Sequence, residues 1–272
     1  MATEQARMRE TEPDVVIGDV PYLTFAAAAG LGVPSVAVAS LTWDEVLAAC
    51  FPVDEAPFER WHRQMRAAYG AATLAVHPEP ALVSSPFPVH GNVPPIHEPA
   101  HRCRDTLRQR LGLAGDDARP LVLVTTGGLS AELPIESMRQ LDDVLWLVTG
   151  ISAEQLGSSQ HLFAVSALSD FPFGDLLTSV DLVICKLGYN TMIEAVAAGV
   201  PILYIRRGRF PDEQPLADWL ARGGIAAELD LGRFLAGDLA DAMAPLIGQR
   251  ADVRFYNGAE QAAELICNEF LP

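Results

Sequence analysis

What most limits the fold of this chain is a repeated alternation. Short, almost wholly apolar runs are followed by stretches of helical period, again and again. "DVVIGDV" (14–20) leads into an Ala-rich helical stretch (22–31), a Gly/Pro turn and "SVAVAS" (35–40). A second helical stretch around 55–69 leads to "ATLAVHP" (72–78). The alternation resumes more strongly further on, with strands expected at 120–126, 144–149, 162–165, 181–185 and 201–205, helices between them, and an Ala-rich helical end at 238–270. Val, Ile and Ala runs without polar alternation suit strands covered on both faces, as in parallel sheets. Repeated β–α units of this kind predict a doubly wound α/β architecture.

Residues 78–99, "PEPALVSSPFPVHGNVPPIHEP", interrupt this pattern with seven prolines. They cannot be helical and read as an interdomain connection. The expected organisation is therefore an N-terminal domain at 1–99, a second domain at 100–250, and a C-terminal helix at 251–272 that packs back toward the first. A chain of 272 residues, half of them hydrophobic, has enough apolar material for two such domains. The net charge of −16 argues against nucleic acid or an anionic membrane as the main partner. It leaves room for a local positive site that takes a small anion. The four scattered cysteines form no CxxC pair and read as reduced thiols. The opening "MATEQARMRETEPD" has no apolar core of a signal peptide, and the longest apolar stretch is broken by Gly30, Gly32 and Pro34. No membrane span and a cytoplasmic location are expected.

In open α/β sheets, ligands bind beyond the carboxyl ends of strands, so chemistry-bearing residues should follow strands. Two loops qualify. "LVLVTTGGLS" places Gly127 and Gly128 after a strand, where paired glycines let backbone N–H groups approach a phosphate. A plain βα turn would use the same residues. The second loop, "DLVICKLGYNTMIEA", is more specific. Of the 19 basic residues, 18 are arginine; the single lysine, Lys186, closes this strand. Gly188 allows a tight turn, and Asn190 or Thr191 can cap the helix that follows. A helix N-terminus beside an ammonium offers a phosphate both N–H donors and positive charge. Glu194, one turn into the helix, is placed to accept from sugar hydroxyls. The bland alternative is that Lys186 neutralises a nearby carboxylate and Glu194 is solvated.

At these residues the chain resembles the donor half of the GT-B glycosyltransferases. "CKLGYNTMIEAVAAGVPILYI" followed by "DEQ" is similar to the motif by which that superfamily holds nucleotide-sugars. The likeness is greatest to MurG-like enzymes and to the glycosyltransferase-like region of plant L-arabinokinases, through "CKLGYNTMIEA", "RRGRFPDEQPLADWL" and "PDVVIGDVP" with "VASLTWD". It implies a GT-B-like fold of two Rossmann-like units with parallel sheets. It also implies a donor site in which Lys186, Asn190 and Thr191 meet the diphosphate and Glu194 holds the ribose. Glu213 and Gln214 would hold the hexose, and Phe171 and Phe173 would flank the nucleobase. Gly127, Gly128, Gly188 and Tyr189 complete the donor-side residues. The donor would be a nucleotide-sugar, a UDP-sugar by preference, with no metal and no cofactor. The family's first strand and loop precede "PDVV" and have no counterpart, so the N-terminal unit is expected to be truncated. A chain of that kind is expected to bind donor but, alone, to transfer it slowly or not at all.

Asp19 and Asp44, each just past a strand, are the candidates for a catalytic base, and both have structural readings. A nucleotide-sugar hydrolase of the same fold and a non-catalytic binding module are the alternative functions. The first part of the chain shows only three apolar strands, which predicts a homodimer or a partner that completes its sheet. "HEPAH" (97–101) matches the zinc-protease string, but Pro99 between the histidines opposes the helix that such a site needs. "RRGR" (206–209) is either an anion patch or a solvated loop.

Overall fold

The computed structural model describes residues 1–82, 86–126, 133–252 and 256–270. Within it the chain divides into two compact units. The first comprises Met1–Ile96, Gly208–Pro215 and residues 256–270; the second comprises His97–Arg207 and residues 216–252.

The first unit begins with α1 (Ala2–Thr11), β1 (Val16–Gly18), α2 (Tyr22–Ala29), β2 (Ser35–Val38), α3 (Trp43–Cys50), α4 (Phe58–Tyr69), β3 (Leu74–Pro78) and β4 (His90–Val93). Its strands form one parallel sheet in the order β1-β2-β3-β4. The expectation of three strands is corrected by β4, which lies inside the proline-rich span. Its register runs from Ala75↔His90 to Pro78↔Val93. Prolines stand on both sides of β4 and none within it, so the ladder keeps its donors. Phe25, Tyr69 and Phe87 form an aromatic centre on one side of the sheet, with Tyr69 and Phe87 edge-on at 5.5 Å. Tyr69 is fully buried, and its hydroxyl donates to the Val20 carbonyl (2.6 Å) and accepts from the Trp43 N–H (3.1 Å). Both capacities of the buried phenol are thus met. Helix α3 was not expected. It begins at a capping box in which the Thr42 side chain serves the third helical N–H and Glu45 reaches back to the Thr42 N–H.

The second unit contains α5 (Arg104–Arg110), β5 (Leu121–Thr125), α6 (Ile135–Gln140), β6 (Leu145–Val148), α7 (Ala153–Leu156), β7 (Leu162–Ala164), α8 (Phe173–Ser179), β8 (Leu182–Lys186), α9 (Tyr189–Ala197) and β9 (Ile202–Ile205). It continues with α10 (Glu213–Gly223), whose first turn lies in the first unit, then β10 (Ala226–Glu228), α11 (Leu231–Leu235) and α12 (Ala240–Met243). The sheet is parallel throughout, in the order β10-β9-β8-β5-β6-β7. Asp181 fastens its centre: one carboxylate oxygen accepts from the Leu121 N–H, and Arg104 donates to the same side chain, each at 2.8 Å. Trp146 is buried in the core with its indole N–H on the Leu141 carbonyl.

The C-terminal stretch is not one helix over 238–270. It breaks after α12, where Gly248 takes φ +84° and the Ala251 N–H bonds to Gly199, and it ends in α13 (Ala259–Phe270). Helix α13 packs Ala262, Leu265 and Ile266 against Val36, Val76 and Val93 of the first unit's sheet. The four cysteines are free thiols. Among the described residues no helix is long and apolar enough to cross a membrane.

Gly199 ends α9 in a left-handed turn (φ +66°), and a Cβ there would lie 2.1 Å from the Ala251 carbonyl oxygen. Gly199→Ala should therefore cost about 2 kcal/mol or more, from the left-handed backbone and the clash together. Urea unfolding would measure it. A loss below about 0.5 kcal/mol, within the range of a neutral surface change, would show that this turn yields freely.

Candidate nucleotide-binding site

The second unit's sheet reverses its strand order between β5 and β8. From β5 the chain moves outward to β6 and β7; from β8 it moves the other way, to β9 and β10. The connecting segments leave the two strands in opposite directions, and a crevice opens at their carboxyl ends. Thr125 pairs with Cys185 in the register. The carboxyl ends of β5 and β8, which precede the two motif-bearing loops, therefore stand side by side. Gly127 and Gly128 lie outside the described residues.

Lys186 is the last residue of β8 and pairs on its other side with Ile205 of β9. Arg206 and Arg207 follow Ile205 directly. The Arg206 Nε donates to Glu228 at 3.0 Å, which ties it to β10. Arg207 acts on Lys186 electrostatically. Burial first, and then the Arg207 charge, lower the Lys186 pKa below the ordinary lysine value. Two cations thus stand where the crevice opens, and an anion bound there would relieve their repulsion. Of the three arginines of "RRGR", Arg206 is ion-paired to Glu228 and Arg207 adds its charge beside Lys186, while Arg209 belongs to the first unit. The sequence signal was available, since Arg207 stands just past an apolar strand.

Two residues separate Lys186 from α9. The expectation that Asn190 or Thr191 caps this helix is corrected: the N-cap is Gly188, in an extended conformation (φ −144°, ψ 141°), and no side chain caps the turn. Tyr189 and Thr191 are half-buried in the first turn, and Asn190 is exposed. A helix start leaves its first N–H groups without intrahelical acceptors, and its dipole favours an anion in front of it. With glycine at the cap, an incoming group can approach that backbone closely.

One turn further, Glu194 enters a cavity of about 340 Å³, whose walls also include His97, Glu98, Phe173, Asp175 and Thr178. Hydrogen bonds from α8 hold the 97–103 segment in place. Asp175 accepts from the His101 N–H at 2.7 Å, the Thr178 hydroxyl donates to the His101 carbonyl, and Ser179 accepts from the Cys103 N–H. A Cβ on Gly174 would come within 3.1 Å of Ala100, so this close approach needs the missing side chain. Arg250 donates to the Thr178 and Ala198 carbonyls and ties the ends of α8 and α9 together behind the cavity. Burial raises the Glu194 carboxyl above its ordinary pKa; Glu98 nearby raises it further and His97 opposes. Phe173, 39% exposed, presents a ring to the cavity, whereas Phe171 is half-buried and outside its lining.

The structure thus gathers Lys186, Gly188, Tyr189, Asn190, Thr191 and Glu194 on one strand–turn–helix and brings Glu194 and Phe173 to one cavity. His97 and Glu98 belong to the "HEPAH" string, in which neither has a binding role on sequence grounds. No helix passes through His97, and the lining role follows from the fold alone. Among the described residues no group of three or more His, Cys, Asp or Glu side chains is placed to hold a metal ion.

The other expected residues belong to the first unit. Asp19, between β1 and α2, has an exposed side, and what burial it has raises its carboxyl above the ordinary value. Asp44, in the first turn of α3, is fully buried and paired with Arg66 at 3.1 Å. Glu213, at the start of α10, is buried and accepts from the Gly208 N–H at 3.1 Å; Gln214 beside it is exposed.

No family model matches the chain. Its sequence is 25% identical over 220 residues to an L-arabinokinase of Arabidopsis thaliana, covering 81% of this chain and 21% of that one. It is 32% identical over 170 residues to a demethyllactenocin mycarosyltransferase of Streptomyces fradiae, covering 56% of this chain and 36% of that one. The chain therefore spans well under half the length of these curated relatives. Among solved structures, the glycosyltransferase VinC in complex with DTDP superposes with a TM-score of 0.55 at 25% identity, covering 99% of this chain and 70% of that one.

The Glu194 shift has a stability consequence. Its folded pKa lies above the ordinary 4.5, so the folded state holds that proton more tightly than the unfolded chain does. Stability must then fall as pH rises through the interval between the two values. Glu194→Gln removes the penalty. The variant should unfold at higher denaturant than the wild type at about pH 8, and the gap should close below about pH 4.5. A gap that is constant across this range would contradict the assignment.

Proposed function

Taking as premise that the chain has the GT-B glycosyltransferase fold, we propose that it binds a nucleotide-sugar on the second unit, a UDP-sugar by preference, and serves transfer of the sugar to an acceptor. The observation that carries this reading is the placement of Lys186. The chain's single lysine stands at the sheet's order reversal, directly before an α9 start that no side chain caps.

The chemistry follows from that placement. The diphosphate lies against the α9 N-terminus, with the Lys186 ammonium and the Arg207 charge beside it. Transfer breaks the bond between the anomeric carbon and the diphosphate oxygen and leaves negative charge on that oxygen. Fixed N–H donors and cations stabilise charge that develops in this way, and they need no reorganisation at the moment of reaction. The acceptor oxygen bonds to the anomeric carbon and passes its proton to a general base. The ribose and base extend toward the cavity, where Glu194 accepts from hydroxyls and Phe173 offers a ring face. The diphosphate nucleotide in the VinC complex supports a ligand of this class.

Calorimetric titration with UDP and a panel of UDP-sugars tests the reading. Lys186→Ala should weaken binding by about tenfold or more, because a charge-assisted contact contributes about twice what a neutral one does. Glu194→Gln, which keeps a hydrogen-bonding acceptor, should lose less. Unchanged affinity in the Lys186 variant would overturn the assignment.

A further inference from the structure

The second unit gathers another group of positive charges at the amino ends of β5 and β8, away from Lys186. Asp181, directly before β8, accepts from the Leu121 N–H and from the Arg104 Nη1, each at 2.8 Å. The same Arg104 nitrogen donates to the Ser179 carbonyl at 3.3 Å. On the adjacent carbonyl, that of Thr178, the Arg250 Nη2 donates at 2.8 Å, and it also donates to Ala198 at 3.1 Å. Two guanidinium groups are thus anchored on neighbouring carbonyls at the end of α8. Each is anchored through one nitrogen, and its remaining N–H groups have no acceptor among the described residues. Arg102 joins them. With Arg104, Asp105 and Thr106 it lines a cavity of about 410 Å³, and it makes no hydrogen bond or ion pair among the described residues.

The charge balance limits what such a place can take. Burial first, and then the Arg102 charge, lower the Arg250 pKa below the ordinary arginine value; Arg104 lowers it further, and Asp181 opposes. Both neighbouring guanidinium groups therefore act against Arg250. The carboxylate among them, Asp181, already serves Arg104 and the Leu121 N–H. Asp105, on the cavity wall, is exposed and forms no ion pair among the described residues. A cation would be repelled here, and a neutral molecule would leave the repulsion in place. An oxoanion relieves it. The planar guanidinium fork matches the oxygens of a phosphate, which can accept from several such groups at once. Strand β8 separates this place from Lys186: at the rise of a strand, Asp181 and Lys186 lie about 16 Å apart, too far for one phosphate to meet both groups.

We infer that Arg102, Arg104 and Arg250 form a second anion site, which takes one phosphate group, free or at the end of a small phosphate ester. None of the three arginines lines the nucleotide site, and the inference does not depend on the nucleotide-sugar reading.

Calorimetric titration of the whole chain with inorganic phosphate, at constant ionic strength, tests it, with thermal unfolding as the check on folding. Lys186→Ala serves as the parent, so that phosphate taken up beside Lys186 does not enter the measurement. This parent should bind phosphate saturably. Adding Arg102→Gln should weaken that binding by about tenfold or more, the loss expected for one charge-assisted hydrogen bond. Arg102 is exposed and unbonded, so the change should leave folding intact. Arg102→Glu, which reverses the charge, should abolish binding. Glycerol 3-phosphate in place of inorganic phosphate separates the two sources. Equal or tighter binding identifies an ester as a ligand, and weaker binding identifies the free ion; either supports the site. No saturable binding to Lys186→Ala, or undiminished binding in the folded Arg102 variants, would overturn the inference.

Discussion

The pairing of β5 with β8 is the interaction on which the rest of the second unit depends. It sets two strands, far apart in sequence, side by side and parallel at the centre of the sheet. Because the chain leaves them in opposite directions, it also creates the one place where the strand ends are not roofed by their own crossovers. Asp181 strengthens this seam from the other end by accepting the Leu121 N–H. Everything ascribed to the site follows from that seam. Lys186 stands at its open end, α9 starts three residues later, and β9 delivers Arg207 alongside.

The electrostatics reinforce the geometry. A chain with net charge −16 repels anions at long range. Close to the strand ends, that repulsion is offset by two cations and a helix start, all held on a rigid sheet. Burial disfavours the Lys186 charge, and its neighbour Arg207 disfavours it further. Such a group gains most from an anionic ligand, because the ligand removes the cause of its perturbation. The Glu194 carboxyl, raised by burial, occupies the opposite situation in the adjoining cavity. Under the proposed function, the cationic end would take phosphate and the carboxylate end hydroxyl donors, which would set a direction for a bound nucleotide-sugar.

Much of this was legible in the sequence, for identifiable reasons. Strands β2, β3, β5, β6, β8 and β9 are buried runs with few polar interruptions, so their composition alone betrays them. Strand β4 was missed because it is an edge strand, "HGNV", set among prolines, and among its residues Val93 belongs to the core. Strand β10 was missed because its "AAE" is short and only partly buried. Helix α3 was legible through the T-x-x-E spacing of Thr42 and Glu45 but was passed over. The α9 cap was misread because two good capping residues, Asn190 and Thr191, fall just inside the helix, while glycine serves at its start. Of the cavity, Glu194 and Phe173 were expected through the resemblance, and its other walls were not legible. Its walls come from the 97–100 segment, α8 and α9, and they meet only through side-chain bonds such as Asp175 to His101. The same holds for Asp44: sequence shows a carboxylate after a strand, but its burial and its pairing with Arg66 appear only in three dimensions.

The central claim is that Lys186 receives the diphosphate, and the chain offers an uncommonly clean measurement of it. Since Lys186 is the only lysine, uniform labelling with ¹⁵N,¹³C-lysine gives a protein with a single labelled side chain. Titration with UDP should move the Lys186 Nζ and Cε resonances saturably, and the ammonium should titrate at higher pH in the complex than in the free protein, since the bound anion favours the charged form. Resonances that stay in place at saturating nucleotide, or an ammonium that titrates identically with and without UDP, would contradict the account.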